Sequence, residues 1–213
     1  MENTDQNVAF LFLGNQLALD FLNTRPVLNG KATELLRAFG PLVEWFQDAG
    51  LLTRSQVLRL QQWEGTGRAD STLQTVRKLR ETLRIEILRW ENGGAIRPEV
   101  ARELNRLMAR YPMRTRLEGR AGQLTTQRWF EVRQPEDLLA PLAQAAAELL
   151  TGVDRSRVRK CAKCVLHFLD TSKKGTRRWC SMRWCGNRLK VAAYAARQRR
   201  TRKSLNAAEE PLR

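Results

Sequence analysis

The chain has 213 residues, room for one large domain or two smaller ones, and carries a formal net charge of +16. No stretch approaches the roughly 20 apolar residues of a membrane-spanning helix. The apolar run from Val8 to Leu13 follows acidic and polar residues rather than the basic segment of a secretion signal. The reading is therefore a cytoplasmic protein with reduced thiols and no membrane partner, in which Val8 to Leu13 is a buried strand or a helix start.

The charge is unevenly spread. Residues 1–154 hold 20 Lys/Arg and 19 Asp/Glu, whereas residues 155–203 hold 17 Lys/Arg and a single acid, Asp170. The first segment is long enough to bury a core; the second is too small to do so unaided and needs a metal. The expected organisation is a mostly helical domain over 1–153, a small basic domain over 154–203 and a tail over 204–213. The fold class is mainly α, with a small β-hairpin in the helical domain and a treble-clef-like finger after it.

Leu17, Leu19, Phe21 and Leu22 surround Asp20 and run into Asn23 and Thr24. Asp20, Asn23 and Thr24 form a polar set where an apolar helix ends. They either line a pocket for a small-molecule effector, or act as a helix cap or a buried hydrogen-bond network. From Thr33 to Ala49 apolar residues recur near a helical period, with Gly40 and Pro41 bending or splitting the segment. Thr53 and Gln56 have the spacing of a capping box. The longest helix is expected from about Ser71 to Asn92, capped by Asp70 and stopped by Gly93 and Gly94. Pro98 opens a helix to about Arg110. Leu117 to Val132 reads as a β-hairpin, and Pro135 opens another helix that ends at Gly152.

Cys161, Cys164, Cys180 and Cys185 are the only cysteines, spaced as C-x2-C and C-x4-C. Four thiolates complete a tetrahedral Zn2+ shell, and a closed four-sulfur shell is structural rather than catalytic. Disulfides would need an oxidising compartment, and four unrelated core cysteines would leave the pairing unexplained. The expected finger has a knuckle at Cys161 to Cys164 and extended structure through Val165 to Leu169. A loop at Lys173 to Gly175 and a return strand at Arg177 to Trp179 follow. Cys180 and Cys185 then start a helix from about Asn187 to Arg200. His167, the only histidine, is expected in a structural or surface role rather than as a ligand. Trp179 and Trp184 read as finger core.

A compact cationic field around a rigid site attracts a polyanion, double-stranded DNA first. Asn187, Arg188, Lys190, Tyr194 and Arg197 are candidates to enter a groove. Lys173, Lys174, Arg177, Arg178 and Arg183 complete the candidate DNA-binding set, with Lys173 and Lys174 as phosphate contacts.

These residues carry a family resemblance. Cys161-x2-Cys164, Phe168-x-Asp170-x-Ser172, and Arg178-Trp-Cys-Ser-Met182 with Cys185-Gly-Asn-Arg188-x-Lys190 resemble the CGNR zinc finger of bacterial regulators. Leu17-Ala-Leu-Asp20-Phe-Leu-Asn23-Thr24 resembles the opening of the ABATE domain, which precedes that finger in stress-induced transcription regulators. The resemblance implies a zinc-dependent DNA-binding finger joined to a mostly helical regulatory domain. The leading function is a transcription regulator whose helical part senses an effector or forms a homodimer. The alternatives are an RNA-binding zinc protein and, less well supported, a ligand-processing enzyme. The helical part has no histidine, no cysteine nucleophile and no glycine-rich phosphate loop, so no enzyme activity is expected.

Overall fold

The computed structural model describes residues 10–28, 30–120, 122–164 and 166–186. Helix α1 (Leu17–Leu22) is short but central. Gln16 caps it, its side-chain oxygen accepting the amides of Ala18 at 2.6 Å and Leu19 at 3.3 Å. Its residues from Ala18 onward are buried, because α4, α6 and the finger all pack on it. A two-residue ladder, β1 (Val27–Leu28) with β2 (Lys31–Ala32), leads to α2 (Phe39–Asp48). Of the expected helical segment Thr33 to Ala49, residues 33–38 are not helical, and the Gly40-Pro41 pair falls at the start of the helix rather than inside it. Pro41 lies in the first turn, where its missing N–H has no intrahelical partner to lose.

Thr53 and Gln56 form the full reciprocal capping box at the start of α3 (Arg54–Gln61). Helix α4 (Gly67–Glu91) begins earlier than the expected Ser71. Thr66 Oγ1 accepts the Ala69 amide, so Thr66 is the cap and Asp70 falls in the first turn, where its charge suits the helix dipole. Leu73, Val76, Leu79, Leu83 and Ile87 of α4 form the expected core stripe. Pro98 opens α5 (Pro98–Arg110) as expected. The hairpin is β3 (Arg114–Arg120) with β4 (Gln123–Trp129), turning through Gly122 at φ +81°. Phe130 and Val132 leave the strand to enter the core. A 3-10 turn at Pro135–Leu138 runs into α6 (Leu139–Gly152), which packs on α1 and α5. Trp45 anchors the core, its ring centroid 5.2 Å from that of Phe46 and 5.9 Å from that of Phe21.

After α6 the chain forms β5 (Val158–Lys160), antiparallel to β6 (His167–Leu169), with Lys160 opposite His167. The pairing differs from the expected one, in which residues 177–179 return against the first strand. Asp170 accepts the amides of Ser172 and Arg177 at 2.9 and 2.8 Å. That closes residues 171–177 into a loop, and the partner strand comes from before the first knuckle instead. Cys185 lies in a turn of π-helix, Met182–Gly186. The helix expected from Asn187 to Arg200 and the tail lie outside the described residues.

The finger is anchored to the helical part by shared core. Val158 and Leu169 join the helical core, while Leu11 and Leu13 pack against the cysteine cluster. Residues 10–13 form neither strand nor helix, although Phe10 lies against the helical core as an apolar run should. Leu169 donates its amide to the Gly14 carbonyl at 2.7 Å.

Candidate metal centre and basic surface

Hydrogen bonds build the cysteine site from both directions. The Cys161 amide donates to the Leu166 carbonyl at 2.8 Å, closing the first knuckle at the tip of the β5–β6 hairpin. The Ala162 amide donates to the Arg178 carbonyl at 3.1 Å and draws the second half of the finger onto the first. The Cys185 amide donates to the Ser181 carbonyl, turning Cys185 back toward Cys180.

The four sulfurs lie within 4.8 Å of one another. Cys164 and Cys180 are 3.4 Å apart, and Cys180 and Cys185 are 3.7 Å apart. A disulfide requires about 2.05 Å, and all four cysteines are free thiols. A tetrahedral zinc with Zn–S bonds of about 2.3 Å has S–S edges of about 3.8 Å. The spacing fits that ion.

The electrostatics fit it as well. The thiol of Cys164 is lowered to about 5, chiefly because Cys180 donates to it, with the Leu166 amide assisting against the cost of burial. Cys180, the donor in that bond, is driven strongly upward, and burial reinforces the rise. Burial pushes Cys185 up to about 12, and its contact with Cys164 adds to it. The cluster therefore accommodates a thiolate readily at Cys164 and resists one at Cys180 and at Cys185. Holding all four as thiolates requires a cation among them.

Asp170 organises the surrounding backbone. Besides the two amides it accepts, its carboxylate lies 3.6 Å from Arg159 Nε. Arg157 reaches the carbonyls of Asp170 and Ser172, at 3.2 and 2.6 Å, and Arg159 reaches that of Gly175 at 2.6 Å. These bonds pin the loop that presents Lys173 and Lys174 to solvent. Arg178 and Arg183 are likewise exposed. Arg177 is placed differently. Its guanidinium donates to the carbonyl of Trp179 at 2.7 Å and to that of Cys180, and stands 4.7 Å over the Phe168 ring. Its donors face the second knuckle rather than solvent. Trp179 is half-buried and packs on the cysteine cluster. Asn187, Arg188, Lys190, Tyr194 and Arg197 lie outside the described residues.

His167 is 2% exposed and is absent from the metal cluster. Its Nε2 stands 3.4 Å from Oε1 of Glu91, the last residue of α4, and neither ring nitrogen has a hydrogen-bond partner among the described residues. The backbone of His167 is held by Asn23.

Asp20, Asn23 and Thr24 all point inward. Asp20 accepts the Gly14 amide at 2.7 Å, and burial raises its carboxyl to about 6 against the pull of that bond. A Cβ on Gly14 would stand 2.8 Å from the Asp20 amide nitrogen, so the close approach requires glycine. Thr24 Oγ1 donates to the Phe21 carbonyl at 2.7 Å and accepts from Arg80 Nη1 at 2.9 Å.

Arg80 is the buried feature that sequence reasoning missed. It is 1% exposed and bonds both carboxylate oxygens of Glu34, and Glu81 at 3.0 Å. Glu86, fully buried, is paired with Arg97. Each sits at an inward position of α4 or facing it, and a charged residue on an otherwise apolar stripe was the available signal.

Fold and site together define a mainly helical protein carrying a small cysteine-built zinc finger. Residues 15–153 match the ABATE family, described as "Putative stress-induced transcription regulator", and residues 157–198 match the CGNR zinc finger. The first match alone covers more than half of the chain, so the chain belongs to the ABATE family, with a CGNR finger following the ABATE region. No curated protein matches the chain. The close-set cysteines of a CGNR finger fit a Zn2+ cofactor. Neither family is an enzyme family. Among the described residues, no helix is long and apolar enough to cross a membrane.

Proposed function

We propose that the chain is a zinc-dependent DNA-binding transcription regulator, with the finger over 154–203 on duplex DNA and the helical part over 1–153 as effector sensor or dimeriser. The observation that carries the reading is the charge distribution: 17 Lys/Arg against one acid in residues 155–203, the segment that carries all four cysteines. Cys161, Cys164, Cys180 and Cys185 hold the metal, which when bound offsets half of their charge and cross-links the two knuckles. Lys173, Lys174, Arg178 and Arg183 are exposed on that scaffold and contact phosphates. Arg177 acts one step back, fixing the second knuckle. Asn187, Arg188, Lys190, Tyr194 and Arg197 read the groove. The burial and inward bonds of Asp20, Asn23 and Thr24 support a role in the scaffold for these three, ahead of contact with an effector.

The test is selection of bound fragments from genomic DNA by the zinc-loaded chain, followed by titration of the recovered duplex, a scrambled duplex and a structured RNA. A preferred duplex motif supports the reading. Tighter binding to the RNA replaces it with an RNA-binding function.

A further inference from the structure

A cavity of about 250 Å³ opens where α5 ends, β3 begins and the chain approaches α6, lined among others by Arg110, Tyr111, Arg114, Glu131, Arg133 and Asp137. Three arginines therefore line one small space. The acids there are already engaged. Glu131 is ion-paired with Arg133 at 2.7 Å. Asp137 Oδ2 accepts the amides of Arg133 and Gln134, at 2.8 and 3.0 Å, and so fixes the start of the 3-10 turn. Arg110 and Arg114 have no carboxylate within ion-pair distance among the described residues, and neither side chain donates a hydrogen bond to another of them. Each is held instead by an aromatic face: Arg110 stands 5.6 Å over the Tyr111 ring and Arg114 stands 5.7 Å over that of Trp129.

We propose that this cavity binds a small oxyanion, a compact carboxylate or phosphate, and that it is the effector site of the helical part; the second clause rests on the sensor reading above. Like charges brought together around a cavity repel, and an oxyanion between them turns that repulsion into attraction. A guanidinium presents parallel N–H donors that match a carboxylate or phosphate edge, and stacking on a ring leaves those in-plane donors available. The volume lies just below the roughly 300–1,000 Å³ usual for small-molecule pockets, which suits a small metabolite rather than a peptide or an oligonucleotide. The cavity also has a route to the finger. Ala140, on the first turn of α6, lines it. The same helix packs on α1 and ends at Gly152, shortly before β5 and the first knuckle.

The experiment is calorimetric titration of the full-length, zinc-loaded chain with inorganic phosphate and, separately, with succinate, at constant ionic strength. Saturable one-to-one binding of at least one probe is expected. Arg110→Gln and Arg114→Gln should each weaken it tenfold or more. Arg102→Gln, which removes the same charge from an exposed part of α5 outside the cavity, should leave it unchanged. The inference is overturned if neither probe binds saturably, or if Arg102→Gln weakens binding as much as Arg114→Gln does. Duplex titrations of the wild-type chain run alongside. Lost anion binding with duplex binding intact overturns only this site, whereas failed duplex binding with an intact anion site overturns the regulator reading and with it the effector role, leaving the anion site itself standing.

Discussion

Asn23 grips the backbone of His167 from both sides: its Nδ2 donates to the His167 carbonyl at 2.8 Å, and its Oδ1 accepts the His167 amide at 2.9 Å. The first residue closes α1 in the helical part, and the second opens β6 in the finger, 144 positions later. A side-chain amide carries a donor and an acceptor on one rigid group, so it can satisfy a buried N–H and a buried C=O of the same residue at once.

Asn23→Ala should therefore destabilise the chain by about 1–3 kcal/mol, since it leaves two buried backbone groups without partners. Asn23→Asp should fall between, because a carboxylate accepts the amide but cannot donate to the carbonyl. Urea unfolding followed by tryptophan fluorescence measures both. An Asn23→Ala chain as stable as wild type would mean that the joint contributes nothing.

Arg177 and Arg178 should separate although they are neighbours of equal charge. Arg177→Ala removes the donor to the carbonyls of Trp179 and Cys180 and should weaken zinc retention, measured by competition with a chromophoric chelator. Arg178→Ala should hold zinc as wild type does and lower duplex affinity, with the salt slope reduced by about 1. Equal zinc retention in the two variants would show that Arg177 does not support the knuckle.

Asp20 gives a pH dependence of definite sign. Its carboxyl has an ordinary value of 3.8 and is raised to about 6 by burial. The folded state then binds the proton more tightly than the unfolded state. The stability this contributes is fully present below about pH 4 and is lost as pH rises through about 6. In Asp20→Asn the amide oxygen still accepts the Gly14 N–H, but nothing titrates. The stability of wild type minus that of Asp20→Asn should therefore fall from pH 4 to pH 7 in urea titrations. A difference that rises over that range would contradict the assignment.

Arg80→Met should cost about 3 kcal/mol, the lower end of the range for breaking a buried pair, because Glu34 and Glu81 each retain access to water. Thermal unfolding tests it; an unchanged midpoint would show that the buried guanidinium is replaceable by apolar packing.

Much of the helical part was legible because its signals are local. The Thr53–Gln56 capping box and Pro98 each act within one turn, and the α4 stripe repeats with the helix itself. The start of α4 was misjudged because two cap residues, Thr66 and Asp70, compete and only packing decides between them. The strand partner of β6 was not legible. Asp170 diverts residues 171–177 into a loop, and a carboxylate's choice of amides several residues away leaves no periodic trace. The cysteine cluster was legible from spacing alone, whereas the inward turn of Asp20, Asn23 and Thr24 depends on a close approach of Gly14 and, far away in sequence, on Arg80 and the His167 backbone.

The most direct test of the central claim is the affinity of the full-length chain for its selected duplex, measured by fluorescence anisotropy across a salt series with zinc bound and after its removal. The zinc-loaded chain should show log K falling linearly with log salt, by about 0.9 for each phosphate contacted, and removal of zinc should abolish the preference for the selected duplex over a scrambled one. Preference and affinity that survive metal removal undiminished would contradict the account.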